Sequence, residues 1–311
     1  MHGVRTGPAE RTVTRSARPG GRGLEPLEGT VGAALDEGGR SLARARVESP
    51  RLTAELLLAR VLEIDRVGVL THPEAPLTER AAAEFGRLLR RAAEGEPLAY
   101  VTGRREFYGV PLEVTPDVLI PRPETEILVE RALALAARAT ARFVDVGTGS
   151  GAIAISFAVF SPRSSGWATD VSRQALGVAR RNAAAAGAAG RIAFAAGDLL
   201  GFFAERPAFD LVLANPPYIS APEAASLPRA VAAYEPAVAL IAGDSGLEIF
   251  RRLIPQAATR LRPDGLLLLE VGMGQADPVA GLACAAGLRV EEIARDLQGI
   301  PRCVASRKLD L

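Results

Sequence analysis

The chain has 311 residues, with 37 Lys and Arg against 36 Asp and Glu and a formal net charge of +1. That length suits about two domains of roughly 150 residues each, and an apolar fraction of 48% excludes a chain disordered throughout. The near-balance of charge excludes a broad electrostatic footprint for nucleic acid, and an inventory of two histidines (His2, His72) and two distant cysteines (Cys284, Cys303) excludes a histidine triad, a zinc cluster and a disulfide framework.

Residues 1–28 carry Arg5, Arg11, Arg15, Arg18 and Arg22 with few acids, interrupted by Pro8, Pro19 and Gly20-Gly21. The charge is that of a transit peptide, but no apolar face accompanies it, so a disordered tail is expected. Free thiols and the lack of an apolar run long enough to span a bilayer point to a cytoplasmic protein.

Residues 29–97 are expected to form a small all-helical domain. Val31 to Val47 reads as one helix. Ser49 is expected to cap a second, with Pro50 in its first turn and Leu52, Leu56, Leu57, Leu58 and Val61 as its apolar stripe. A third starts after Thr78, with Phe85, Leu88 and Leu89 inward. None of the three carries chemistry. Residues 98–123 read as extended pieces broken by Gly103, Gly109, Pro111, Pro116 and Pro121, forming a hairpin connector around Gly109-Val110.

Across residues 124–311 helix and strand alternate. Helices are expected over Glu126 to Ala137, Gly151 to Phe160, Ser172 to Ala186 and Leu247 to Leu261, and strands over Phe143 to Val146, Gly166 to Thr169, Ile192 to Ala195, Phe209 to Ala214 and Leu266 to Val271. Such alternation gives an α/β, Rossmann-like domain with a mostly parallel sheet covered on both faces. Ligands in these folds bind at the carboxyl ends of the strands, near the switch point.

Three groups of residues sit at such ends. Strand Phe143 to Val146 runs into Gly147-Thr148-Gly149-Ser150-Gly151, a turn whose glycines let the backbone pass close beneath a ligand. The third glycine comes one residue early for a dinucleotide fingerprint, and no lysine follows, which excludes a P-loop. Asp170 ends the next strand, where an acid accepts from a ribose diol; taken alone it could equally cap the helix that follows. Asp198, after Gly197, could accept from an adenine amino group, with Leu199 packed on the ring. The third group is Asn215-Pro216-Pro217-Tyr218, directly after a buried strand. Two prolines merely end many strands. Here, however, they fix the turn and leave local carbonyls as acceptors beside Asn215, with an aromatic residue three positions on.

The tetrapeptide beside the glycine loop resembles the class I methyltransferases that act on amide or amino nitrogens conjugated to a π system. Five further segments resemble the peptide-release-factor glutamine methyltransferases, the PrmC/HemK family. These are Tyr100-Val101-Thr102-Gly103 with Phe107-Tyr108-Gly109, Pro121 to Glu126, Tyr234-Glu235-Pro236, and Gly243-Asp244-Ser245-Gly246-Leu247. The likeness runs from about Ser49 to the C-terminus; the tail has no counterpart, and Gln298-Gly299-Ile300-Pro301 departs from the pattern. The resemblance implies a seven-stranded class I methyltransferase domain behind a helical substrate-recognition domain. It implies S-adenosylmethionine held by Gly147, Thr148, Gly149, Ser150, Gly151, Asp170, Asp198, Leu199 and Asn215, with no metal. It implies a catalytic group of Asn215, Pro216, Pro217 and Tyr218, and as substrate the glutamine of the Gly-Gly-Gln loop of class I release factors in translation termination.

An amide nitrogen is a poor nucleophile, so it must be held in line with the methyl carbon at roughly 3–3.5 Å. On this reading Asn215 accepts one amide N–H through its side-chain oxygen, the Pro216 carbonyl accepts the other, and Pro217 and Tyr218 form a stacking wall. No strong base is in sight, which agrees with late loss of the proton. Rival readings are a glutamine methyltransferase for a ribosomal protein, an adenine-N6 methyltransferase for nucleic acid, which the charge balance disfavours, and an idle cofactor-binding adaptor. A monomer without nucleic-acid or membrane partners is expected.

Overall fold

The computed structural model describes residues 29–136 and 140–310; the expectation for the arginine-bearing tail lies outside them. The helical part begins with α1 (Val31–Arg44), whose first turn is closed by Thr30 accepting from Ala33 N at 3.3 Å. It packs on α2 (Pro50–Leu62) and α4 (Glu79–Ala93), and Leu35, Leu42, Leu57, Leu58, Phe85 and Leu89 form the shared core. Thr78 caps α4 by accepting from Ala81 N.

Two expectations for α2 fail. Ser49 stands in the left-handed region (φ 49°) instead of the extended conformation of an N-cap, and makes no capping bond. Leu52 is exposed. Two short helices were also illegible as periodicity. One is α3 (Arg66–Thr71), capped by Asp65 on Gly68 N at 2.7 Å; the other is α5 (Leu98–Thr102), where extended chain was expected. Pro97 sets the entry to α5, the Thr102 hydroxyl donates back to Leu98 O, and left-handed Gly103 ends it.

The hairpin pairs β1 (Arg104–Phe107) with β2 (Val110–Glu113). Its two-residue turn, Tyr108-Gly109, has φ of 50° and 72°, the positive pair a type I′ turn needs to match strand twist. Far from being a bare link, it buries Phe107, Val110 and Leu112 in the same cluster as Phe143 and Phe157. Asn182 then fastens β2 by bonding both Glu113 N and Glu113 O.

After α6 (Glu126–Ala136) come β3 (Arg142–Val146), α7 (Ala152–Phe160), β4 (Ser165–Asp170), α8 (Arg173–Ala185), β5 (Ile192–Ala196) and β6 (Phe209–Ala214). There follow β7 (Ile219–Ser220), α9 (Ala221–Ala224), α10 (Arg229–Tyr234), β8 (Ile241–Gly243), α11 (Glu248–Arg260), β9 (Leu261–Glu270), α12 (Ala276–Ala285), β10 (Leu288–Arg295) and β11 (Pro301–Lys308). The seven-stranded sheet has the order β10-β11-β9-β6-β3-β4-β5. Only β11 runs against its neighbours.

Period-two alternation explains why the central strands read as unbroken apolar runs. In β6, Leu211 and Leu213 enter one core cluster while Val212 and Ala214 enter the other, and β9 repeats this with Leu266 and Leu268 against Leu267 and Leu269. The unusual Gln298-Gly299-Ile300-Pro301 segment leads out of β10 and into β11; Asp296 holds it by accepting from Gln298 N and Ile300 N. The chain order reverses between β3 and β6, so the ligand crevice of this fold lies at their carboxyl ends. Among the described residues no helix is long and apolar enough to cross a membrane.

Candidate active site

A cleft of about 270 Å³ opens at those strand ends, lined by Gly147, Gly149, Asp170, Asp198, Leu199, Asn215, Pro216 and Pro217. The loop after β3 is folded onto β4: Gly147 N and Thr148 N both donate to Thr169 O, at 2.8 and 2.9 Å. Gly147 and Gly149 have φ of 73° and 55°, and a Cβ at either would meet nothing of the protein within 4 Å. The loop therefore offers bare backbone to the cleft.

Thr148, Ser150 and Gly151 do not line the cleft; they hold the loop in shape. The Thr148 hydroxyl donates to Asp145 Oδ2 at 2.6 Å, Ser150 O accepts from Asn182 Nδ2 at 2.8 Å, and Gly151 starts α7 in a left-handed conformation. Asp145 is fully buried, its Oδ1 has no partner, and burial pushes its carboxyl up to about 7. The glycine pattern drew attention to the loop, while the acid beneath it went unread.

Asp170 does not cap α8; Ser172 does, accepting from Ala175 N at 3.1 Å. The Asp170 carboxylate instead bridges the two turns, Oδ2 accepting from Gly149 N at 2.9 Å and Oδ1 from Ser172 N at 2.8 Å. Burial raises its pKa, and these backbone N–H groups oppose the rise. Asp198 is exposed and ion-paired with Arg252 on α11, so part of its acceptor capacity is already taken. Leu199, at φ 53°, stands on the cleft wall beside it.

Asn215 leaves β6 with its amide Nδ2 donating to Thr125 Oγ1 at 3.1 Å. Tyr218 is absent from the cleft wall: its hydroxyl turns inward to Glu270 Oε1 at 3.4 Å, at the end of β9. Gln275 pins the tetrapeptide from behind, its Nε2 donating to Tyr218 O at 2.9 Å and to Gly246 O at 3.4 Å. Gly246 must be glycine here, because a Cβ would stand 2.5 Å from Tyr218 O. Burial, then the neighbouring Glu270, raises the Tyr218 phenol; burial pushes Glu270 itself to about 7.

The sequence reading missed the opposite wall, where Asp117, Val118 and Leu119 face the cleft. Their strap is tied at both ends by residues of the family-like segments. Arg122 pairs with buried Glu235 at 2.5 Å, whose second oxygen accepts from Ile120 N, and the Tyr100 hydroxyl donates to Val118 O at 2.6 Å.

With that geometry in place, the comparisons with known proteins are specific. Residues 33–103 match the family described as PrmC N-terminal domain, and residues 123–230 match the methyltransferase small domain. A release factor glutamine methyltransferase from Nitratidesulfovibrio vulgaris is 41% identical over 281 residues, spanning 90% of this chain and 95% of that protein. Its counterpart from Moorella thermoacetica is 43% identical over 276 residues, spanning 88% and 97%. The chain belongs to the release factor glutamine methyltransferase family. The solved catalytic domain of hMettl16, in complex with the MAT2A 3'UTR hairpin 6, is 17% identical with a TM-score of 0.53 over 65% of this chain and 77% of that one. At that identity the likeness shows the shared methyltransferase fold alone.

Proposed function

We propose that this chain transfers a methyl group from S-adenosylmethionine to the side-chain amide nitrogen of the glutamine in the Gly-Gly-Gln loop of class I release factors. The observation that carries the reading is Asn215. Its Nδ2 is taken by Thr125, which leaves its Oδ1 as the acceptor beside the glycine cradle. The cleft also fits the cofactor's chemistry: bare backbone at Gly147 and Gly149, a carboxylate at Asp170 for a diol, and apolar walls at Val171, Leu199 and Ile249 for a base. When bound there, the cofactor supplies an electrophilic methyl group.

The chain's own residues do the positioning. Asn215 Oδ1 and the Pro216 carbonyl accept the two amide hydrogens and turn the nitrogen toward the methyl carbon. Pro217 restricts the amide from the cleft side. The amide proton passes to solvent once the new N–C bond has made the nitrogen acidic, so no strong base is required. Incubating the protein with methyl-labelled cofactor and, separately, a class I release factor, ribosomes or DNA tests the reading. Label is expected in the release factor alone, and transfer to ribosomes or DNA in its place would overturn it.

Asp170→Ala is expected to weaken S-adenosylmethionine binding more than tenfold, because charge-assisted bonds are worth about 1.5–3 kcal/mol. The loss includes the slackened loop, since Asp170 also holds Gly149 N. Calorimetry giving wild-type affinity would remove Asp170 from the cofactor site. The region 29–97 is assigned to recognition of the release factor. Deleting the chain through Pro97 is expected to spare cofactor binding and abolish activity on a whole release factor. Retained cofactor binding demonstrates folding, and full activity alongside it would contradict the assignment.

A further inference from the structure

Pro216 and Pro217 contribute no backbone donor, so the middle of the tetrapeptide cannot be tied down by N–H groups of its own. Asn215 is fixed at one end by β6 and by Thr125. The other end, at Tyr218, is held from a distant part of the chain. Among the described residues, Gln275 is the one side chain that bonds the main chain of the tetrapeptide.

Gln275 stands at the position just before α12, where a side chain would ordinarily cap the helix, yet it makes no capping bond. Its amide instead engages backbone groups from three loops. Nε2 donates to Tyr218 O at 2.9 Å and to Gly246 O at 3.4 Å, while Oε1 accepts from Gly272 N at 3.0 Å. Each of those backbone groups plays only one part, so the orientation of the amide is settled. Turned round, its oxygen would face two carbonyl oxygens and its NH₂ group an N–H.

Two buried glycines make room for this arrangement. At Gly246, in the loop after β8, a Cβ would stand 2.5 Å from Tyr218 O and 2.7 Å from Gln275 Nε2. At Gly272, in the loop after β9, it would stand 2.9 Å from Gln275 Oε1 and 3.0 Å from Tyr218 Cδ2. Separate loops thus omit their side chains around one amide and one tyrosine. Starting α12 requires neither omission.

We propose that Gln275 is a positioning residue for methyl transfer: by anchoring Tyr218 O it fixes the turn through Pro216 and Pro217, and with it the direction of the Pro216 carbonyl toward the substrate amide. The inference rests on the reading of Asn215 and Pro216 as the substrate's acceptors. The prolines hold φ at about −65°, so the Pro216 carbonyl swings only through the remaining torsions, and holding both ends of so short a segment removes that freedom. The cofactor wall is secured separately. Helix α11, which brings Ile249 and Arg252 to the cleft, starts on Glu248 Oε1 accepting from Ser245 N at 2.8 Å and on Ser245 Oγ accepting from Leu247 N at 3.3 Å. Loss of Gln275 therefore reaches the chemistry while sparing cofactor binding.

The test compares the full-length wild type with Gln275→Ala and Gln275→Glu. Alanine empties the socket; glutamate keeps the size and the bond from Gly272 N but sets an oxygen against Tyr218 O and Gly246 O. Single-turnover methyl transfer to a class I release factor is measured at saturating S-adenosylmethionine. Cofactor affinity is measured by calorimetry, and release-factor affinity in the presence of S-adenosylhomocysteine. In both variants the rate is expected to fall about 100-fold, the scale of a reacting group misplaced by about an ångström. Cofactor affinity is expected to stay at the wild-type level, which also demonstrates folding. Release-factor affinity should fall by no more than about tenfold, the worth of one hydrogen bond. Gly246→Ala, which presses on Tyr218 O from the other side of the socket, is expected to show the same split and carries the test if the Gln275 variants do not fold. A near-wild-type rate, or cofactor affinity falling in step with the rate, would make Gln275 merely structural and overturn the proposal. Asn215→Ala separates the two levels. Full activity in that variant defeats the reading of the tetrapeptide itself, whereas an inactive Asn215→Ala beside fully active Gln275 variants defeats only the role of Gln275.

Discussion

Replacing Asn215 with alanine is expected to lower the single-turnover rate of methyl transfer by orders of magnitude while the protein stays folded. Asn215 lies at the end of β6 and contributes one hydrogen bond to the interior, to Thr125, so its truncation removes little from the core. Cofactor affinity should change far less than the rate, because the glycine loop and Asp170 remain, fastened to each other through Gly149 N. A site built around specific hydrogen bonds rejects an analogue lacking them by about 10⁴–10⁵. A release factor with glutamate in place of the target glutamine should therefore also fail. That substrate lacks the nucleophilic nitrogen as well, so only the asparagine variant isolates positioning. Single-turnover kinetics at saturating cofactor decide the matter, and a rate within a few-fold of wild type would remove Asn215 from the chemistry.

Arg122→Leu is expected to cost both stability and cofactor binding. Glu235 has a side chain only 1% exposed, and its partners are the Arg122 guanidinium and Ile120 N. Breaking a buried pair from one side costs about 3–5 kcal/mol because a charge is left behind; the lower end applies here, since Arg122 is one-third exposed. The strap that carries Val118 and Leu119 to the cleft then loses one of its two ties, so cofactor affinity should fall together with Tm. Adding Glu235→Gln to the same protein should restore most of the stability, because no unpaired charge remains. Thermal melts of the two single variants and the double variant check this, and an Arg122→Leu protein with wild-type Tm and cofactor affinity would contradict it.

Much of the site was legible because its parts are local. The glycine loop, Asp170 and the Asn215 tetrapeptide each follow a strand whose apolar residues announce it, and parallel sheets bring such ends together. The contacts between distant segments were not legible. Nothing in the sequence near Thr125 indicates that its hydroxyl meets Asn215, nor near Tyr218 that its ring turns from the cleft toward Glu270. Arg122, which ties the strap, lies in a family-like segment, yet its pairing with Glu235 depends on a loop more than a hundred residues away. In the helical part, α3 and α5 span 6 and 5 residues, too short for an apolar period to show. Ser49 met the composition rule for a cap while its left-handed backbone did not allow one.

The methyl group is expected to land on one side-chain amide of a release factor. Mass spectrometry of the Gly-Gly-Gln peptide, recovered from a class I release factor after incubation with the protein and S-adenosylmethionine, tests it directly. A single added methyl is expected on the glutamine side-chain nitrogen, absent when Asn215→Ala enzyme is used. An unmodified Gly-Gly-Gln peptide, or a methyl group on any other residue of the release factor, would contradict it.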